Sequence, residues 1–447
     1  MLANRKTAFA AGALLALAGS SWAQAPARND LLTIYRDAVQ NDSAFASARF
    51  ARQAAGEAEP QARAAVLPNV NLGVGATDSY VDFSASAPYG YSRNFWSWGP
   101  SLSLSMPLYR PQYFEAITQA KLSVVGAEAT LAQARQDLIL RVAQAYFDVL
   151  AAQDNLAAIL ESKKGATEQL AQAKREFEVG TKTIVDTHEA QARYDQTVAQ
   201  EQTARGDLIV KQNALRAIIG RDPGVLAPLR EAPELAPPQP KDVEAWAKRA
   251  EESSFGVAIA RASAEIAQRE TVRQRDANLP TVDLTASAGY SHQSGSSTSG
   301  ISGDVRSGTI GVQLNYPLYS GGLIQSRIRQ ALANEERSKQ DLESARRTAS
   351  QAARQAYTGV DFGLAQVQAL ESAEVSAKSQ LESTRLGYRV GVRINLDVLN
   401  AETLLFNTQR DLKKARYDFL INGLRLQSAA GALSDKDVEA LNLLLAR

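Results

Sequence analysis

GYRVGVRINLDVLNAETL, residues Gly387 to Leu404, sets two glycines inside a long stretch whose apolar residues follow helical spacing. A glycine in a helix interior costs roughly 1 kcal/mol relative to alanine, so the pair predicts a break in the helix. The first half of the chain has an equivalent break, where EVGTKTIVD (178–186) matches RVGVRINLD (389–397). Two matching breaks indicate two tight turns between helices, and Gly180 and Gly391 suit positions with positive φ.

The two glycine segments belong to a tandem repeat. Four further pairs of segments match in order at an offset of about 211 residues, and chance does not supply a collinear set of that kind. They are LPNVNLGVGA (67–76) with LPTVDLTASAG (279–289), SLSLSMPLY (101–109) with GVQLNYPLY (311–319), AQAYFDV (143–149) with RQAYTGV (354–360), and ALRAIIGRD (214–222) with RLQSAAGAL (425–433).

The repeat predicts the division of the chain. The first repeat covers residues 26–220, with strands at about 69–108 and long helices at about 110–220. A connector at 221–245 follows, because its prolines exclude a regular helix. The second repeat covers residues 246–447, with strands at about 281–318 and long helices at about 320–430.

The N-terminus, MLANRKTAFAAGALLALAGSSWAQA (1–25), has a basic start, a short apolar run, and small residues at Ala23 and Ala25. This pattern predicts a secretory signal peptide cleaved after Ala23 or Ala25. The alternative, a membrane anchor, needs about 18 or more apolar residues, and the run is too short. No later segment is apolar enough to cross a bilayer as a helix, so the mature protein is either soluble outside the cytoplasm or a β-barrel in an outer membrane.

Composition excludes several classes of function. The chain has 447 residues, 22% of them charged, and a formal net charge of +1, so no surface for nucleic acid is expected. It has no cysteine, which excludes disulfides, thiolate metal sites, a cysteine nucleophile and a lipid-anchored N-terminus. His188 and His292 stand apart without spaced carboxylate or histidine partners, so we expect no metal site, no cofactor and no enzymatic activity.

The predicted strands alternate strictly between apolar and polar residues, as in SLSLSM (101–106) and TVDLTASA (281–288). A run of about ten such residues fits a barrel strand with one face toward lipid and one toward water. An ordinary half-buried sheet shows the same alternation. The secretion signal, the Gly/Ser-rich loops and the aromatic residues near strand ends favour the barrel. These aromatic residues are Trp96, Trp98, Tyr109, Tyr290, Tyr316 and Tyr319.

The helical segments are unusually long. Between Pro111 and Gly180 glycine occurs only at Gly126 and Gly165, which predicts an essentially unbroken helix of roughly 65 residues and about 100 Å. Its apolar residues step by alternating four and three, which is the spacing of a coiled coil. They are Leu138, Val142, Ala145, Val149, Ala152, Leu156 and Ile159, then Ala166, Leu170, Ala173 and Phe177.

The strand count predicts an oligomer. Four strands per chain are too few to close a barrel, since about eight are needed. An open sheet edge in lipid would leave backbone groups without hydrogen bonds, so several chains must share one barrel. Two copies or three would close it, and the count alone does not choose between them.

The chain resembles the TolC family of outer-membrane factors over essentially the whole mature length. The segments that carry the resemblance are LILRVAQAYFDVLAAQDNL (138–156), FEVGTKTIVDTHEAQARYD (177–195), LPTVDLTASAGY (279–290), NYPLYSGGLIQSRIRQA (315–331), GYRVGVRINLDVLNAETLLFNTQRDL (387–412) and ARYDFLINGLRLQSAAGALS (415–434).

The resemblance implies an α+β membrane protein. It would be a homotrimer, with one twelve-stranded barrel in the outer membrane continued by a coiled-coil tunnel of helices across the periplasm. Such a protein is an exit duct for an inner-membrane ABC transporter or proton-driven efflux pump, reached through a periplasmic adaptor protein. Its cargo would be proteins, as in type I secretion, small toxic compounds, or both, and it would open by an iris-like movement of the periplasmic helix ends.

The resemblance also assigns the two glycine turns to the periplasmic end of the tunnel, where they would contact the adaptor. The matching positions are Val179, Gly180, Thr181 and Lys182 in the first turn, and Val390, Gly391 and Val392, followed by Arg393, in the second. A turn with a purely structural role is the alternative for each residue.

The gate lies just beyond these turns. Asp397 matches the constricting aspartate of the family, and three copies around an axis would attract cations. Without the resemblance, a solvated helix carboxylate is the simpler interpretation. Arg393 and Tyr388 match residues that close the gate onto Asp186. Two positions depart from the best-known pattern: Asn400 replaces a second ring aspartate, and Val185 replaces a threonine. We therefore expect a gate that is held less tightly and binds cations more weakly.

A second class of protein shares several of these features. Trimeric surface adhesins also join long heptad helices to a membrane-anchoring barrel. They place one barrel at the end of the chain, whereas strands alternate with helices twice along this sequence, so the adhesin is the alternative and the duct is the prediction.

Overall fold

The computed structural model describes residues 29–84, 90–181, 183–231, 233–295 and 301–446. The predicted signal peptide (1–25) and Lys182 lie outside the described residues. The described part contains, in chain order, α1 (Leu31–Asn41), α2 (Ser43–Gly56), α3 (Ala58–Ala64), β1 (Asn69–Phe83), β2 (Tyr91–Tyr109), α4 (Pro111–Glu178), α5 (Ile184–Ile219), α6 (Val243–Ser253), α7 (Phe255–Asp276), β3 (Thr281–Gln293), β4 (Gly303–Asn315), α8 (Leu323–Arg389), α9 (Asn395–Ala429) and α10 (Asp435–Asn442).

Two very long helices dominate the fold. α4 has 68 residues and α8 has 67, so each is about 100 Å long. α4 begins at Pro111, a position where the missing amide hydrogen is not needed. The predicted seam of α4 is buried at Leu138, Val142 and Leu170, whereas Phe177 at its far end is 43% exposed. The long helix predicted from the sequence is confirmed.

The four strands form one antiparallel sheet in the order β1-β2-β3-β4. β1 pairs with β2 from Asn69 opposite Ser105 to Phe83 opposite Tyr91, and β3 pairs with β4 from Thr281 opposite Asn315. Both outer strands have one edge without a partner strand in the described chain. Apolar side chains on these strands are openly exposed, with Val74 at 74% and Ile310 at 79%. The predicted four strands are confirmed.

The main core lies midway along the helices. There α1, α10 and the connector pack on α4, α5 and α9, around the fully buried Trp246, Tyr146 and Phe147. The Tyr146 hydroxyl donates a 2.7 Å hydrogen bond to the carbonyl of Ala227, which fixes the connector on α4. The connector is irregular as predicted, although α6 already begins at Val243. α10 was not foreseen, because a helix of 8 residues gives a weak periodic signal.

Among the described residues, no helix combines the length and the apolarity that are needed to cross a membrane.

Candidate functional site: the turns at the far end of the helix pairs

Each long helix pair ends in the same kind of turn. α4 packs along α5 and α8 along α9, and the chain reverses at Gly180 and Gly391, whose φ angles are +76° and +81°. A side chain built on either glycine would meet no heavy atom within 4 Å. Glycine is therefore required at these positions by the left-handed backbone conformation and not by crowding.

The hydrogen bonds of the two turns are equivalent. In the first, the amides of Gly180 and Thr181 donate to the carbonyls of Phe177 and Glu176, both at 2.9 Å. In the second, Gly391 donates to Tyr388 at 3.1 Å. The amide of Val392 also donates to the carbonyl of Gly387, at 2.9 Å. This is the Schellman pattern, which satisfies the last carbonyls of a helix.

Gly387 has a different role from Gly391. It lies within α8, and a Cβ there would approach the Cγ of Arg393 to 2.8 Å. The aliphatic part of Arg393 therefore lies directly over Gly387, at a distance that no real Cβ would allow. This contact accounts for a glycine in the last turn of the helix.

The two predicted gate aspartates occupy equivalent positions, each the third residue of the first turn of its helix. In α5, the Asp186 carboxylate accepts hydrogen bonds from the amide of Thr183 at 3.0 Å and from its hydroxyl at 2.8 Å. In α9, the Asp397 carboxylate accepts from the amide of Ile394 at 3.4 Å. Both carboxylates cap the start of a helix, where the helix dipole favours negative charge.

The structure places the other gate residues around α8. The guanidinium of Arg393, in the turn before α9, is mostly exposed and lies 3.7 Å from the carboxylate of Asp397, four residues later in the chain. The hydroxyl of Tyr388 accepts a hydrogen bond from Gln172 of α4 at 3.4 Å, so it joins the two helix pairs. Burial raises the pKa of Tyr388, and the negative charges of Glu176 and Asp186 raise it further.

Two gate positions lack a polar group that the family pattern has there: Asn400 lacks the charge of an aspartate, and Val185 lacks the hydroxyl of a threonine. Asn400 is exposed on α9, one turn after Asp397, and Val185 is 58% exposed beside Asp186. Within the chain, the hydroxyl of Thr183 donates a hydrogen bond to Asp186. Sequence reasoning missed Thr183, although the spacing T-x-x-D before a helix is a recognisable capping signal.

A further contact between the helix pairs was not predicted. The Glu402 carboxylate of α9, whose side chain is only 12% exposed, accepts from Arg385 of α8 at 2.7 Å and from Gln169 of α4 at 3.3 Å. Arg193 of α5 donates to the hydroxyl of Thr403. These partners are far apart in sequence and leave no local signal.

The tips themselves are apolar and exposed. Val179, Val390 and Val392 are 73%, 66% and 76% exposed. Valine side chains at a helix end with no covering group in the described chain form a small apolar surface. In the described part of the chain, no group of three or more histidines, cysteines or carboxylates is placed to hold a metal ion.

A family model for outer membrane efflux proteins matches residues 34–221 and matches again at residues 246–432. The chain belongs to the outer membrane efflux protein family. This confirms the resemblance seen in its motifs. It is therefore an outer-membrane export channel that extends into the periplasm, and the two matches follow the two halves of the chain.

Individual relatives agree with this assignment. The chain is 34% identical to outer membrane protein TolC of Vibrio cholerae, over 97% of both chains. It is 31% identical to the alkaline protease secretion protein AprF of Pseudomonas aeruginosa, over 92% of this chain and 86% of that protein. Its fold is similar to that of the Campylobacter jejuni CmeC outer membrane channel, with a TM-score of 0.77, 17% identity, and coverage of 93% and 90%.

Proposed function

We propose that three copies of this chain form one continuous duct, which carries cargo from an inner-membrane pump across the periplasm and the outer membrane. The observation that carries the proposal is an open-edged sheet joined to two antiparallel helix pairs. The longer helix of each pair, α4 or α8, is about 100 Å long, and the far end of each pair is an exposed apolar turn.

The sheet supports closure by rotation. Its four strands alternate in direction, so β4 of one copy would meet β1 of the next in antiparallel orientation. Two copies would give about eight strands, whose interior side chains fill. Three copies give twelve strands and a lumen, and remove every edge from the lipid. Native mass spectrometry in detergent tests this: a trimer is expected, and a dimer would contradict it.

The helix tips fit a contact with a periplasmic adaptor. Their exposed valines are apolar, and the chain itself does not cover them in its described part. A photocrosslinker at Val392 is preferable to one at Gly391, because Gly391 needs its positive φ. Capture of the adaptor of an ABC transporter would indicate protein secretion, and capture of one from a proton-driven pump would indicate efflux of small compounds. Capture of neither would contradict the contact.

The gate would be formed by three copies of Asp397, with Asp186, Tyr388 and Arg393 holding the helix ends together until they move apart. The link from Gln172 to Tyr388 and the ion pair of Arg393 with Asp397 support such a latch. Because Asn400 carries no charge, the mouth has one acidic ring. We expect weak block by trivalent cations.

Single-channel recording in planar bilayers tests the duct and the gate together. The wild-type protein should form a discrete pore, and Asn400→Asp should change its conductance and strengthen trivalent-cation block, because it adds three carboxylates that attract cations. Asn407→Asp, further along α9, is the control and should have a weaker effect. Unchanged conductance and block in Asn400→Asp would contradict the gate. If neither the wild-type protein nor the Asp397→Ala variant conducts, the result would favour an adhesin.

A further inference from the structure

The two faces of the sheet differ in chemistry and in shape. On β2 the even-numbered residues from Trp96 to Met106 are mostly apolar, and the odd-numbered residues from Ser97 to Ser105 are serine or glycine. Toward the outer end, the odd residues of β2 are half-buried and the even ones exposed, so the sheet curls around its odd face. In a closed barrel the concave polar face lines the lumen, and the apolar face meets lipid.

The polar face is nearly free of charge. Along the described strands, the residues on this face include only two charged side chains, Asp283 and Arg93. Asp283, at the helical end, is neutralised by Arg110, which donates to both of its oxygens at 2.8 and 2.6 Å. Arg93, at the opposite end, has no carboxylate partner among the residues that the structure describes.

Arg93 is held in place by aromatic rings. Its guanidinium carbon lies 4.7 Å from the centre of the Tyr91 ring, and the Tyr91 ring lies 5.4 Å from that of Phe83. Its Nη1 atom is buried and has no hydrogen-bond partner in the described part of the chain. A cation over an aromatic face keeps its full charge, so the position is fixed while the charge stays uncompensated.

We propose that Arg93 is a selectivity residue at the outer end of the barrel, where three copies form a ring of positive charge that attracts carboxylate groups of the cargo. The inference rests on the proposed trimeric duct. A guanidinium suits this task because its planar N–H groups match the two oxygens of a carboxylate. The ring is opposite in sign to that of Asp397, so the exit favours anions and the entrance favours cations.

Reversal potentials across a planar bilayer, in gradients of potassium chloride and of potassium glutamate, test the proposal. At low salt, Arg93→Gln should raise the cation-to-anion permeability ratio by about twofold or more, and Arg93→Lys should leave it near the wild-type value. The difference should fade at 1 M salt, where charges are screened within about 3 Å. Arg306→Gln is the control, since Arg306 lies on the apolar face of β4 opposite Tyr290.

A second variant separates a change of charge from a failure to fold, because the same pore is recorded before and after chemical modification. The chain has no cysteine, so Arg93→Cys can be modified alone. A cationic methanethiosulfonate reagent should restore anion preference in the same pore, and an anionic one should reverse it. The inference is overturned if Arg93→Gln conducts with the selectivity of the wild type. It is also overturned if neither reagent changes the selectivity of a conducting Arg93→Cys pore. Absence of conductance in the wild type counts against the duct itself.

Discussion

Replacement of Gly391 by alanine isolates the cost of the tip turn. Gly391 has a φ of +81°, and a Cβ at this position would meet no heavy atom within 4 Å. The expected penalty is therefore conformational only, and an alanine in the left-handed region costs roughly 1–2 kcal/mol. That free energy multiplies the population of the locally opened turn by about 5- to 30-fold. Gly180, with a φ of +76° and equally open surroundings, should behave in the same way.

Hydrogen–deuterium exchange on the detergent-solubilised protein measures this opening. In Gly391→Ala, peptides covering the turn should exchange faster by that factor, while peptides from the mid-helix core should not change. Gly391→Asn should have a smaller effect, because asparagine tolerates positive φ. Gly423→Ala is the control: Gly423 lies within α9 with open space at its Cβ, and exchange should not accelerate. Exchange in Gly391→Ala within twofold of wild type would refute the reasoning.

Substitutions at three further sites probe the body of the protein: Glu270, the pair of Arg110 with Asp283, and Gly431. Burial by itself raises the pKa of Glu270, but hydrogen bonds from Arg273, Gln119 and Gln274 outweigh it and lower the pKa from 4.5 to about 2. Glu270→Gln should therefore lower the melting temperature at pH 7, and the gap to wild type should close as pH falls from 4.5 toward 2. A pH-independent gap would contradict this. Arg110→Ala leaves the partly buried Asp283 unpaired and should lower the free energy of unfolding by about 1–3 kcal/mol. Adding Asp283→Asn should restore part of that stability. Equal thermal stability of all variants would show that the ion pair does not stabilise the fold. Gly431→Ala should be far more damaging than Gly391→Ala, because its Cβ would lie 2.2 Å from the carbonyl oxygen of Ser253, and a normal yield of folded protein would contradict that contact.

The faces of the strands and the length of α4 were predictable, because each depends on a local period. Strict alternation in SLSLSM (101–106) separates the two faces of β2, and a stretch almost free of glycine and proline predicts the helix. The glycine turns were predictable for the same reason, since a left-handed residue favours glycine.

The contacts of the gate were less predictable. Within the chain, the guanidinium of Arg393 lies 3.7 Å from the Asp397 carboxylate, and the closing network of Arg393 and Tyr388 with Asp186 stays a prediction. The hydroxyl of Thr183 bonds Asp186, and the capping pattern T-x-x-D would have identified this contact. The roles of Asp397 and Asn400 at a trimer axis stay predictions.

The sequence by itself determined the repeat, the strand and helix types and the positions of the two turns, because propensity, periodicity and φ preference act over a few residues. Only the tertiary structure decided which side chains meet. Gln169 and Glu402, which form a hydrogen bond, are 233 residues apart in the chain. The charge of Arg93 stays uncompensated because the neighbouring described strands place no carboxylate beside it. Such contacts are set by how whole helices and strands pack, and no local pattern encodes them.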